Sequence, residues 1–140
     1  MKTTKIITDT IREYFNKQQE NLLDGGRIFY HGTNANISIS DLKQSGLAGD
    51  YGTGIYLTTE KDYAEESGDY LLSTKIKSPK HLVIGSDEYF KEVYPEIGVN
   101  VTRASDVARN KGYTTLEVPR HGDDKWIIVL DEKMVEYVKP

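Results

Sequence analysis

IFYHGT at residues 28–33 and GTGIYLT at residues 52–58 decide how this chain is read. Each is a short apolar run that predicts a buried strand, over 28–31 and over 55–58, and each delivers a polar group to one place. His31 ends the first strand and can hydrogen-bond a sugar hydroxyl. Gly32 lacks a Cβ, so a ligand can approach its backbone and pair with the N–H and C=O. Tyr56, inside the second strand, offers a flat face to a heteroaromatic ring. Together these groups suit a nicotinamide riboside.

The rest of the chain follows from local patterns. Residues 4–23 carry apolar residues at helical spacing, with charges between them, and Asp24-Gly25-Gly26 stops that helix. Between the two key strands the chain is rich in Asn, Ser, Asp and Gly, with one helical turn predicted at 40–43. The glycines at 49, 52 and 54 are no dinucleotide fingerprint, because they lead into a strand rather than out of one into a helix. A helix is predicted from Thr59 as N-cap, with Tyr63 and Ala64 on its buried side and Gly68 at its end. Strands are expected over 70–76 and 81–84, and a short helix over 86–93. A second helix is expected over 102–111, then strands over 113–118 and 126–130 and an edge strand over 134–138. Residues 96–101 give no pattern. Interleaved short strands and helices predict an α+β fold.

Composition sets the bounds. At 140 residues the chain fits one domain with a single core. Net charge is −4 and the pI about 5.4, which argues against broad nucleic-acid binding. Without cysteine there is no disulfide framework and no thiol nucleophile. The N-terminus has no secretory apolar core, and no run approaches the roughly 20 apolar residues of a membrane span. The expectation is a cytoplasmic protein without membrane partners. His31, His81 and His121 share no ligand spacing, so no metal is expected.

YHGT, a glycine-containing loop and IYLT in this order resemble the diphtheria-toxin-like ADP-ribosyltransferase superfamily. YHGTNANISISDLKQSG, DYG and IYLTTEKDYA are similar to the rifamycin-modifying members, over roughly residues 29–68. GYTTLEV followed by WIIVLD looks more like phage-encoded transferases, including an anti-CRISPR ADP-ribosyltransferase. The resemblance implies a split β-sandwich, two small packed sheets with an NAD cleft between them. It would form one domain over 1–140, with an N-terminal helical extension over 1–26. It implies a mono-ADP-ribosyltransferase that consumes NAD as its substrate and uses no metal. His31 would orient the ribose, Gly32 pair with the carboxamide and Tyr56 stack on nicotinamide. Thr33 and Tyr51 would line the site. The expected acceptor is a protein side chain, in the host cytoplasm if the chain is phage-encoded, with a rifamycin-like small molecule as the next option.

The third element is a carboxylate, because C–N bond cleavage passes through an oxocarbenium-like transition state that a nearby anion stabilises. Glu117 in TTLEV is the first choice. Strand alternation puts Thr114, Leu116 and Val118 on one face and Tyr113, Thr115 and Glu117 on the other; with the first face in the core, Glu117 points at a cleft or at water. Some relatives carry the acid just before the strand resembling WIIVLD, where this chain has Lys125 and Trp126; Asp123 and Asp124 are the fallback acids. No Glu-x-Glu pair of the arginine-modifying subgroup is present. The reading from a different class is a binding module that keeps the cleft and has lost the acid.

Overall fold

The structure, a computed structural model, describes residues 22–34 and 48–138. In chain order the elements are β1 (Phe29–Thr33), β2 (Ala48–Gly49), β3 (Gly52–Thr53), β4 (Ile55–Thr58), α1 (Lys61–Glu66), β5 (Tyr70–Ile76) and β6 (His81–Val83). Then come α2 (Asp87–Glu92), α3 (Tyr94–Ile97), α4 (Ala104–Asn110), β7 (Thr115–Pro119), β8 (Lys125–Val129) and β9 (Val135–Tyr137). This is a mixed α and β fold, as the interleaved pattern predicts. The helical turn expected at 40–43 and nearly all of the helix expected over 4–23 lie outside the described residues. The described end of that stretch is not α-helical. Leu22 is extended and bridges to Lys77, and Leu23–Gly25 forms a single 3-10 turn. Asp24, Gly25 and Gly26 then take left-handed conformations in succession, which turns the chain into β1.

Two strands, over 55–58 and 70–76, have the bounds their patterns predict. The helix expected over 86–93 is α2, with the Ser86 side chain accepting from the Tyr89 N–H as its cap. The helix expected from 102 opens with a 3-10 turn, Val101–Arg103, before α4. Glu96 and Ile97, from the 96–101 stretch that gives no pattern, belong to the one-turn α3, with Pro95 in its first turn where its missing N–H costs nothing. Thr59 does not cap α1. Its hydroxyl donates to Asp124 and accepts from the Lys125 N–H, so Glu60 takes the N-cap position without a side-chain cap.

Seven strands pair in the order β6-β7-β8-β4-β1-β5-β9, and β2 with β3 makes a separate hairpin that feeds β4. Among the described strands, β6 and β7 alone pair in parallel. The sheet is continuous, where two separate sheets were expected, yet its halves are barely joined. β1 pairs with β4 at Tyr30 and Thr58 alone, while it pairs with β5 at five positions. Both faces carry core. Phe29, Ile55, Leu57, Ile76, Ile127 and Val129 pack on one side. Leu82, Leu116 and Ile128 pack on the other against Tyr89, Val93 and Val107 of the helical segment. Thr115, on the same face of β7 as Glu117, is fully buried.

Candidate functional site

Where β1 leaves β4, a cleft of about 250 Å³ opens between the two strands and α1. Its walls include His31, Gly32, Tyr56, Tyr63, Ser67 and Trp126. The stretches around His31 and Tyr56 therefore meet at one place, at the join between the halves of the sheet.

His31 stands in for a missing rung of the ladder. Its Nδ1 lies 2.9 Å from the Tyr56 carbonyl oxygen. A carbonyl oxygen only accepts, so Nδ1 carries the proton, and in the neutral ring Nε2 is left as the acceptor. That tautomer can receive a hydrogen bond from a ligand hydroxyl.

Gly32 is needed for a different reason from the one its sequence suggests. A Cβ there would lie 1.7 Å from the Ala64 carbonyl oxygen and 2.8 Å from its carbon. The space beside Gly32 is filled by α1, which the missing Cβ allows to lie against β1. The glycine thus sets the position of one wall of the cleft.

Tyr56 is held at both ends. Its hydroxyl donates to the Gly52 carbonyl at 2.7 Å and accepts from the Tyr51 N–H at 3.1 Å. Its ring lies over Gly49, where a Cβ would be 2.5 Å from the ring. Burial pushes its phenol pKa up, which keeps it a proton donor. Tyr56 thus fixes the β2–β3 hairpin as well as lining the cleft. Tyr51 and Thr33, also expected at the site, are not among the cleft-lining residues. Tyr51 packs on the helix-side core, and Thr33 ends β1 opposite Tyr70.

Sequence reasoning missed two aromatic residues. Tyr63, expected on the buried side of its helix, is 47% exposed, while Ala64 beside it is buried. Trp126, at the start of the strand expected over 126–130, is half-buried and forms a tilted pair with Tyr63, ring centroids 5.8 Å apart. A usable signal was present: Tyr63 and Ser67 are four apart, on one side of a helix.

Glu117 is not at the cleft. Register decides this. Tyr56 lies opposite Ile128 and Thr58 opposite Trp126, so the aromatic wall shares a face with Ile128. Glu117 lies opposite Ile127, which lies opposite Leu57. It therefore projects from the other face, two strands from β4. Its carboxylate accepts from His81 Nε2 at 3.0 Å and lies 3.4 Å from Lys125 Nζ. The His81 hydrogen bond chiefly, against the effect of burial and with help from Lys125, holds its carboxyl pKa below the usual value. Asp123 and Asp124 line a second pocket, together with Glu117, Asp24, Arg27 and Lys125. Among the described residues lining the cleft, none carries a carboxylate. Among the described residues there is also no group of three or more His, Asp or Glu able to hold a metal. No helix among them is long and apolar enough to cross a membrane.

No protein-family model matches the chain, and no curated protein matches it. Among solved structures, the chain is similar to a crystal structure of an anti-CRISPR protein at 19% sequence identity and a TM-score of 0.47. That alignment covers 79% of this chain and 94% of the other. A likeness this distant carries no functional argument, so function has to be argued from the cleft.

Proposed function

We propose that this protein is a mono-ADP-ribosyltransferase that binds the nicotinamide riboside half of NAD in the cleft between β1, β4 and α1. One observation carries the reading: His31, Gly32 and Tyr56 converge on a single cleft at the point where β1 parts from β4. The chemistry of the lining fits the ligand. His31 offers Nε2 as acceptor to a ribose hydroxyl, and Tyr56, Tyr63 and Trp126 surround a space suited to a flat ring. In this proposal the two parts of the sheet act as the two leaves of a split sandwich. The bond from ribose C1′ to nicotinamide breaks, and nicotinamide leaves with the electron pair. An acceptor nucleophile then bonds to C1′ and gives up its proton. The acceptor we propose is a protein side chain.

The test is incubation of the pure protein with NAD and cell lysate, read by mass spectrometry. Nicotinamide release together with ADP-ribose adducts on a protein supports the proposal. NAD left intact and no adduct refutes the transferase. A second reading is favoured by the lack of a carboxylate among the described residues of the lining: a module that binds NAD without turnover. Calorimetric binding of NAD with no nicotinamide release would establish it.

A further inference from the structure

Arg120 packs on Trp126, a wall residue of the cleft, without being among the lining residues itself. It sits in the turn between β7 and β8, where its N–H donates to the Asp124 carbonyl. Its guanidinium carbon is 4.2 Å from the centre of the Trp126 ring, and Trp126 lines the cleft. Its Nε reaches Glu60 at 3.5 Å, just before α1. Arg120 therefore links Trp126 of the β8 wall to Glu60, the residue that precedes α1. The cation–π contact holds the guanidinium against the Trp126 ring, while the hold of Glu60 is long and only partly buried. A planar cation so placed keeps donors for an anion with two or more oxygens.

We infer that Arg120 is the pyrophosphate-recognition residue of the cleft, and that Glu60 is the partner it gives up when a dinucleotide binds. This deepens the NAD proposal and rests on it. A nicotinamide riboside placed between His31 and Trp126 has its pyrophosphate still to accommodate, and among the described lining residues there is no Lys or Arg. Arg120, stacked on that wall, supplies the missing positive charge. Glu60 holds the side chain in place before the ligand arrives, and by its charge it also opposes the ligand.

The two residues thus have opposite signs in one experiment. Wild type, R120M, R120K and E60Q are titrated with NAD, ADP-ribose and nicotinamide. Binding is followed by calorimetry and by the fluorescence of Trp126, the single tryptophan of the chain. R120M should weaken NAD and ADP-ribose by about tenfold, the loss of a charge-assisted contact, and leave nicotinamide unchanged. R120K should fall between R120M and wild type. E60Q should tighten NAD and ADP-ribose and leave nicotinamide unchanged. Added salt should weaken NAD more than nicotinamide in wild type, and the difference should shrink in R120M. If R120M fails to fold, the opposite sign of E60Q still decides the matter. Wild-type affinity for NAD in R120M, or unchanged affinity in E60Q, overturns the assignment and leaves the NAD proposal standing. Equal losses for NAD and nicotinamide in R120M also overturn it, since Arg120 would then act only by packing Trp126. If wild type binds no NAD, the NAD proposal falls and this inference falls with it.

Discussion

Gly32→Ala tests the geometry of the cleft most directly, because two accounts of Gly32 predict different results. In the structure the added Cβ would meet the Ala64 carbonyl oxygen at 1.7 Å. Real Cβ contacts essentially never fall below 3.0 Å, so going from 1.7 to 3.0 Å requires a movement of at least about 1.3 Å. The obstacle is backbone, so no rotamer change relieves it, and α1 must shift away from β1. Overpacking of this kind costs about 1–3 kcal/mol, and a backbone obstacle belongs at the upper end. For a domain of this size about 3 kcal/mol lowers Tm by roughly 10 °C. The shift also moves Tyr63 and Ser67, so NAD affinity should fall along with stability. Gly25→Ala is the control. Nothing lies within 4 Å of its Cβ, and only the left-handed φ of +66° opposes it, a cost of about 1 kcal/mol with the cleft untouched. The assays are thermal unfolding and NAD calorimetry on all three proteins. A Gly32→Ala variant with wild-type Tm and lost NAD binding would show that Gly32 is there for ligand approach, as its sequence first suggests. Wild-type Tm with wild-type binding would refute both accounts.

Three further outcomes are expected. Tyr56→Phe removes the hydroxyl that joins the Tyr51 N–H to the Gly52 carbonyl, and denaturant titration should show a loss of about 1–2 kcal/mol. Tyr63→Ala, at a side chain about half exposed, should leave stability within about 0.5 kcal/mol of wild type; by calorimetry NAD should nonetheless bind several-fold more weakly. Glu117→Gln should lower stability, with the difference from wild type depending on pH. The folded-state pKa of Glu117 lies below its ordinary value of 4.5, so its contribution is complete above that value and is lost as pH falls through the folded one. The gap in denaturation free energy should therefore be widest near neutrality and close in acid; a gap that is constant with pH would mean the carboxylate charge contributes nothing.

How much was legible in the sequence depended on whether the deciding contact was local. β4 and β5 were legible because each is a short run of β-branched and apolar residues, and α2 because Ser86 precedes its first turn. The start of α1 was misread because Thr59 gives its hydroxyl to Asp124, a residue far away in sequence. The exposure of Tyr63 was misread because α1 is only six residues long. Over so short a helix, apolar spacing says little, and which side turns inward is set by Gly32 on another strand. For Glu117, alternation placed it correctly opposite to Leu116. Alternation does not say which face of β7 matches the face of Tyr56, and that needs the pairing of both strands with β8.

Glu117 has a place in the fold that explains a carboxylate on this face without any role in the cleft. A sheet joined through one residue pair at β1 and β4 needs other ties across the join. On the cleft side His31 provides one, to the Tyr56 carbonyl. At the start of β1, Arg27 Nη1 donates to the Asp123 carbonyl at 2.9 Å, and Asp24 pairs with Lys125 Nζ at 3.1 Å. Lys125 is the first residue of β8, and Glu117 on β7 lies 3.4 Å from the same ammonium group. Burial alone would raise the Asp24 carboxyl pKa, yet Lys125 and Arg27 bring it below the usual value. Glu117, itself held by His81, thus fixes Lys125 where it can hold Asp24, and through Asp24 the entry to β1. The two parts of the sheet are tied at the mouth of β1 and bridged by His31, with the gap between left open. An acid that serves this tie is unavailable to stabilise positive charge at the other face. Glu117→Gln should therefore loosen the start of β1, seen as faster amide exchange at Phe29 and Tyr30, while nicotinamide release per folded molecule stays at the wild-type rate. Loss of release with unchanged exchange would return Glu117 to the catalytic role its sequence suggests.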